Sequence, residues 1–112
     1  MWIMIAGPYR SGGGGPEQYA RRSRVLNDAA VAVFEKGHVP VIGVNMALPV
    51  IEAAGAARYE EFMMPISLAL AERCDAVLRL GGASAGADVE VERIRSRGGT
   101  VYSRVADVPE QR

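Results

Sequence analysis

Only one cysteine, Cys74, and one histidine, His38, occur in the 112 residues. A single thiol excludes an intrachain disulfide framework and a thiolate metal site. With no histidine beside Ser11 or Ser84, no Ser-His-Asp arrangement is available, and no His, Cys and carboxylate cluster has metal-ligand spacing. No apolar run reaches the roughly 18 residues of a membrane-crossing helix. Residues 1–6 are too short and lack the basic start of a signal segment. Net charge is absent too: 13 basic and 13 acidic side chains cancel. No basic field exists to draw nucleic acid or an anionic membrane. The expected setting is therefore reducing and cytoplasmic. The expected partner is a small molecule or another subunit, with no nucleic acid, membrane, metal or cofactor.

What is present reads as one α/β domain over residues 1–112. Hydrophobic residues make up 49% and charged residues 23% of the chain, which is globular composition, and this length supports one core. Four apolar segments have the uniform hydrophobicity of strands covered on both faces: residues 2–6, 39–42, 76–80 and 100–102. Pro40 cannot donate to a ladder, so the second strand belongs at an edge. Helical spacing separates them. Leu26, Ala29, Ala30, Val33 and Phe34 mark a helix over residues 17–36, closed by Gly37. A shorter helix over 48–54 has a weaker signal. Residues 59–73 are apolar nearly all round, with Pro65 expected to begin or kink the main helix. So apolar a helix calls for more cover than the sheet supplies, which predicts a homo-oligomer. Residues 87–97 complete the set, with Val91 and Ile94 inward, Arg93, Arg95 and Arg97 toward solvent, and Gly98-Gly99 at the end.

This alternation predicts a three-layer, doubly wound parallel sheet of four or five strands in the order 2-1-3-4. Its switch point lies between the first and third strands, where ligands bind beyond the carboxyl ends. Three loops converge there: residues 7–15, 43–46 and 81–86. The first matches neither G-x-G-x-x-G nor G-x-x-x-x-G-K-[ST], so it is no dinucleotide or Walker loop. Its backbone N–H groups can still approach an anion. Gly7, Arg10, Ser11, Gly12 and Gly13 are candidate substrate contacts, with Arg10 suited to a phosphate or carboxylate and Tyr9 to a sugar or to hydroxyl donation. Arg10 and Tyr9 as ordinary solvent-facing side chains remain the other reading. Asn45 is a candidate in the second loop. Ser84 and Gly86 are candidates in the third, with Glu90 just inside the following helix. A carboxylate in a first helical turn is kept ionised, which suits a nucleophile or a sugar anchor. Spacing alone equally allows Glu90 or Asp88 to be a helix cap.

The stretch Ser84-Ala85-Gly86-Ala87-Asp88-Val89-Glu90, preceded by Cys74-Asp75-Ala76-Val77, resembles the nucleoside 2-deoxyribosyltransferase superfamily. The opening Ile5-Ala6-Gly7-Pro8-Tyr9 is similar to its first strand and loop. Residues 7–13 are similar to the same loop in the 2′-deoxynucleoside 5′-phosphate N-hydrolase branch. Together these pieces span nearly the whole chain. The resemblance implies that Glu90 attacks C1′ of a deoxyribose and that Ser84, Arg10 and Ser11 lie near a 5′-phosphate; on physical grounds Tyr9 and the N–H groups of the glycine loop are expected to orient the substrate. The resemblance also implies a site completed by a neighbouring subunit. One position departs from the pattern: Ser67 stands where the superfamily usually carries an aspartate that handles the departing base, and Glu60 or Glu61 is either its substitute or part of a solvated helix start. The implied activity is hydrolysis or deoxyribosyl transfer at an N-glycosidic bond. The alternative is a domain that binds or senses nucleotides without turning them over.

Four residues are expected to serve structure. His38 and Cys74 fall at the amino ends of strands, away from the crevice, Cys74 as a buried thiol. Asp75 marks the start of the third strand. Arg79, in a strand otherwise of Ala, Val and Leu, needs an acceptor if covered.

Overall fold

The computed structural model describes residues 1–111. Strand β1 (Trp2–Ala6) sits at its centre, because both of its faces are apolar. Ile3 and Ile5 point to one side, Met4 and Ala6 to the other, and all four are buried. Helix α1 (Pro16–Glu35) follows, with proline in its first turn, where no amide hydrogen is missed. Its buried residues Leu26, Ala29 and Val33 repeat at one-turn spacing and pack on Ile3, Ile5 and Leu78. Each large side chain so covered contributes about 1.5–3 kcal/mol.

The chain returns through β2 (Val39–Val41), runs into α2 (Gly43–Ala54), makes a single 3-10 turn at Ala56–Arg58, and enters α3 (Tyr59–Ala71). Then come β3 (Ala76–Arg79), α4 (Ala85–Arg95), β4 (Thr100–Tyr102) and a 3-10 turn at Val105–Asp107. The strands form one parallel sheet in the order β2-β1-β3-β4. Its register pairs Trp2 with Val39, Ile3 with Ala76, and Ala76 with Thr100. The expected α/β class and strand order hold, with Pro40 on the edge strand. Among the described residues there are four strands rather than five.

The crossover through α1 lies on one face of the sheet, and those through α3 and α4 on the other. Beneath one face, α1 and Val108 complete the core; on the other, Ala71 and Cys74 join Ala87, Val91 and Ile94 of α4 against Met4, Ala6 and Val77. Opposite crossovers from β1 and β3 open a cleft between their carboxyl ends, which is where the site forms.

Several expectations need correction. Residues 43–46 are not a loop but the first turn of α2, which begins directly after β2. Val44, Ala47, Leu48 and Ile51 give that helix a one-turn repeat. Helix α3 runs without a break from Tyr59 through Pro65, so the proline does not begin it. Nor does the apolar surround of α3 lie bare. Helix α2 packs along it, joining Ala47 and Ile51 to Met63, with Phe62 and Ile66 at the margin. The large exposed apolar side chains lie elsewhere, among them Trp2, Phe34, Val39 and Met46.

The amino ends of the strands are tied by structural contacts. Asp75 Oδ2 accepts the Trp2 amide at 2.8 Å, holding β1 and β3 in register. His38 is buried, with Nε2 2.6 Å from the Pro109 carbonyl and Nδ1 3.0 Å from the Met1 ammonium. Those partners require Nε2–H as donor and Nδ1 as acceptor. Cys74 is buried and its thiol donates to the Leu70 carbonyl at 3.4 Å. No helix among the described residues is long and apolar enough to cross a membrane.

Candidate active site

A cavity of about 250 Å³ opens at the carboxyl ends of β1 and β3. The loop after β1, the first turns of α2 and α3, and the start of α4 all contribute to its wall.

Glu90 is the one deeply placed ionisable side chain that lines it, and only 9% of the residue is exposed. Helix α4 begins at Ala85, so Glu90 falls in its second turn, not its first. The cap is Ser84, whose Oγ accepts the Ala87 amide at 3.2 Å. Asp88 is engaged by Arg79 at 3.2 Å. Capping is thus done without Glu90, and the cap reading of that residue is removed.

Burial, the largest influence, raises the Glu90 carboxyl to about 7, while the Ser67 hydroxyl and the Arg79 charge pull the other way. The expectation of a carboxylate simply kept ionised by a helix start is therefore corrected. Near neutral pH this group exists in both forms, able to give or take a proton or to act as a nucleophile when ionised.

Gly43 explains how the carboxyl fits. A Cβ there would lie 2.3 Å from Ser67 Oγ and 3.1 Å from Glu90 Oε2. The bare first residue of α2 leaves room for both side chains. Ser67 is itself buried and lines the cavity, with its hydroxyl also directed at Met63 Sδ, 3.8 Å away.

Opposite this floor, the loop after β1 is fastened to the rest. Ser11 Oγ donates to Ser84 Oγ at 2.8 Å, joining it to the start of α4. Arg22 donates to the carbonyls of Tyr9 and Gly13, each at 2.9 Å. Gly7 approaches the residue after β3 so closely that a Cβ would stand 2.8 Å from the Leu80 carbonyl oxygen. Arg10 lays its guanidinium over Tyr59, 3.6 Å from the ring centroid, and over Tyr19 at 5.5 Å. Tyr9 and Tyr19 rings meet at 5.4 Å. Burial raises the Tyr59 phenol, and the Arg10 charge partly offsets it.

Of the residues singled out in the sequence, Gly7, Tyr9, Arg10, Ser11, Ser84, Gly86 and Glu90 line this one cavity. Gly12 and Gly13 shape the loop but are exposed and do not line it. Asn45 lies off the cavity: its amide donates to Asn27 Oδ1 at 2.7 Å, beside the β2 edge. Arg79 serves structure, donating to Asp88 and to the Leu80 and Gly82 carbonyls, and so holding the loop after β3. Of the two acidic residues considered as substitutes at Ser67, Glu60 lines the cavity, whereas Glu61 pairs with Arg58 at 2.8 Å.

Sequence reading missed Val44, Tyr59, Met63 and Met64, which line the apolar side. Tyr59 and Met63 share a helix face by spacing, but an apolar helix face is indistinguishable from core without its neighbours. Among the described residues, no three His, Cys, Asp or Glu side chains converge as a metal site. No known protein-family model matches the chain, and no curated protein matches its sequence.

Proposed function

We propose that this chain acts on the N-glycosidic bond of a nucleoside or nucleoside 5′-monophosphate, by hydrolysis or deoxyribosyl transfer, with Glu90 as nucleophile. The observation that carries the reading is the Glu90 carboxyl: buried, excluded from capping, and facing a cavity that also presents Tyr9, Arg10, Ser11 and Ser84. The resemblance of residues 84–90 and 5–13 supplies the bond type.

In this mechanism ionised Glu90 Oε attacks C1′, the C1′–N bond breaks, and its electron pair leaves with the base. The departing base gains a proton, for which Glu60 or solvent is the source. Water, or a second base, then attacks C1′ and releases the glutamate. An ionised carboxylate beside a sugar carbon gathering positive charge stabilises the transition state more than the ground state. Arg10 suits a 5′-phosphate, because none of the ion pairs among the described residues engages it. A cytoplasmic setting and a homo-oligomer belong to the same proposal. Exposed Trp2, Val39 and Met46 offer apolar surface for association.

A second reading rests on Ser67. Where the resemblance leads one to expect a carboxylate, a hydroxyl with no useful acidity stands beside Glu90. On this reading the domain binds nucleotides without cleaving them.

The deciding experiment incubates nucleosides and nucleoside 5′-monophosphates with wild type and Glu90→Ala, with and without an acceptor base. Free base and exchanged product are followed. Turnover lost in the variant supports glycosidic chemistry and separates hydrolysis from transfer. Nucleotide binding with no turnover in wild type selects the second reading.

A further inference from the structure

The two sides of the cavity differ in chemistry. Arg10, Ser11 and Ser84 bring charge and hydroxyls, whereas Val44, Tyr59, Met63 and Met64 bring hydrocarbon, a phenol ring and two thioethers. Methionine side chains adapt their shape and make favourable contacts with aromatic rings. Gly86 brings the start of α4 against this side, its Cβ direction pointing to Met64 Sδ at 3.5 Å. Glu60 also lines the cavity here but is exposed to solvent. The Tyr59 and Ser67 hydroxyls are the other polar groups on this side, and each can both donate and accept, so neither chooses between base edges.

Tyr59 already carries a flat, delocalised partner. The Arg10 guanidinium stacks on it at 3.6 Å, and no ion pair among the described residues holds that charge elsewhere. A guanidinium gains more from a bound anion than from a ring face.

We infer that Tyr59, Met63 and Met64 form a slot for the flat ring of the ligand, and that Tyr59 exchanges the Arg10 guanidinium for this ring when the ligand's anionic group draws Arg10 away. The identity of the ring as a nucleobase rests on the function proposed above. What the slot adds is the mode of selection. The base is held by stacking and shape: the Tyr59 and Ser67 hydroxyls donate or accept alike and Glu60 is open to solvent, so no fixed pattern reads its edge and purines and pyrimidines are both admitted.

Calorimetric binding of the common 2′-deoxynucleoside 5′-monophosphates, of uncharged deoxynucleosides and of 2-deoxyribose 5-phosphate tests this in wild type, Tyr59→Leu, Tyr59→Phe and Arg10→Gln. The nucleotides should bind within about fivefold of one another, and the sugar phosphate about tenfold or more weaker than they do. Tyr59→Leu should erase most of that difference, while Tyr59→Phe keeps it. Arg10→Gln should weaken nucleotides yet tighten the nucleosides, because the competitor for Tyr59 has gone. A preference for one base beyond about a hundredfold, the mark of edge reading, overturns the slot. So does sugar phosphate bound as tightly as nucleotide, a Tyr59→Leu variant that binds like wild type, or no binding of any probe at millimolar concentration. The expected binding pattern without release of base sustains the slot and refutes the glycosidic chemistry. Release of base with affinities indifferent to Tyr59 does the reverse.

Discussion

Gly43 and Ser67 stand so close that a Cβ on the glycine would lie 2.3 Å from the serine Oγ. In most helices, glycine to alanine gains about 0.5–1 kcal/mol. Here the sign should reverse. Gly43→Ala is expected to cost about 1–3 kcal/mol by overpacking against Ser67 and Glu90. Urea unfolding would show this as a lower midpoint with an unchanged slope. The cost should shrink in a Ser67→Gly background, since the two nearest atoms, Ser67 Oγ and Cβ, are then absent.

The Glu90 carboxyl makes stability depend on pH in a defined direction. It titrates at about 7 in the folded chain against an ordinary value of 4.5. Between these values the folded state holds more protons than the unfolded state, so this group's contribution falls as pH rises from about 4.5 to 7 and is level above that. The loss amounts to about 3 kcal/mol. Glu90→Gln should remove this fall and be the more stable protein above pH 7, as seen by comparing urea midpoints across pH. If ionised Glu90 is the nucleophile, kcat/KM of the wild type should climb with pH and reach its plateau above about 7.

Ser84 has two roles that can be separated. Ser84→Ala loses the cap of α4 and the bond from Ser11, and should destabilise by about 1–2 kcal/mol. Ser11→Ala loses only the bond between the hydroxyls, about 0.5–1.5 kcal/mol. Amide hydrogen exchange distinguishes them: the Ala87 amide should exchange faster in Ser84→Ala and as in wild type in Ser11→Ala.

Burial pushes the Cys74 thiol up to about 11. At pH 8 only about one thiol in a thousand is ionised. Folded protein should therefore resist a thiol-specific disulfide reagent, with reaction appearing only as urea unfolds the chain. Prompt stoichiometric reaction in buffer would contradict this placement.

The sheet was legible because its signals are local. An unbroken apolar run marked β1, and one proline placed β2 at the edge. Together with alternating helices they determined where the loops after β1 and β3 had to meet. Glu90 and Ser84 followed from that position, but their division of labour did not. Which of two polar residues caps a helix depends on one or two residues of helix start, and the sequence pattern places that start at residue 87 rather than Ala85. Asn45 was misplaced for a related reason. Gly43 after a strand reads as a turn, whereas its missing side chain makes room for Ser67, 24 positions further along the chain. The apolar repeat of Val44, Ala47, Leu48 and Ile51 held the correct answer, masked by Pro49 inside the helix. Tyr59, Met63 and Met64 could not have been found this way, because only tertiary packing decides whether an apolar side chain meets a core or a cavity.

Arg22 holds the carbonyls on both sides of the bend in the loop after β1, while Gly12, Gly13 and Gly14 take φ values of 84°, 71° and 105°. Glycine in an unfolded chain has more freedom to lose than any other residue. With both carbonyls held by Arg22, part of that entropy is expected to be lost during folding, before any ligand arrives. A ligand meeting the loop therefore need not order it again, and association should proceed without a slow closing step. In a run of four glycines, ordinarily the mark of a floppy connector, one guanidinium thus ties the bend back to the first helix.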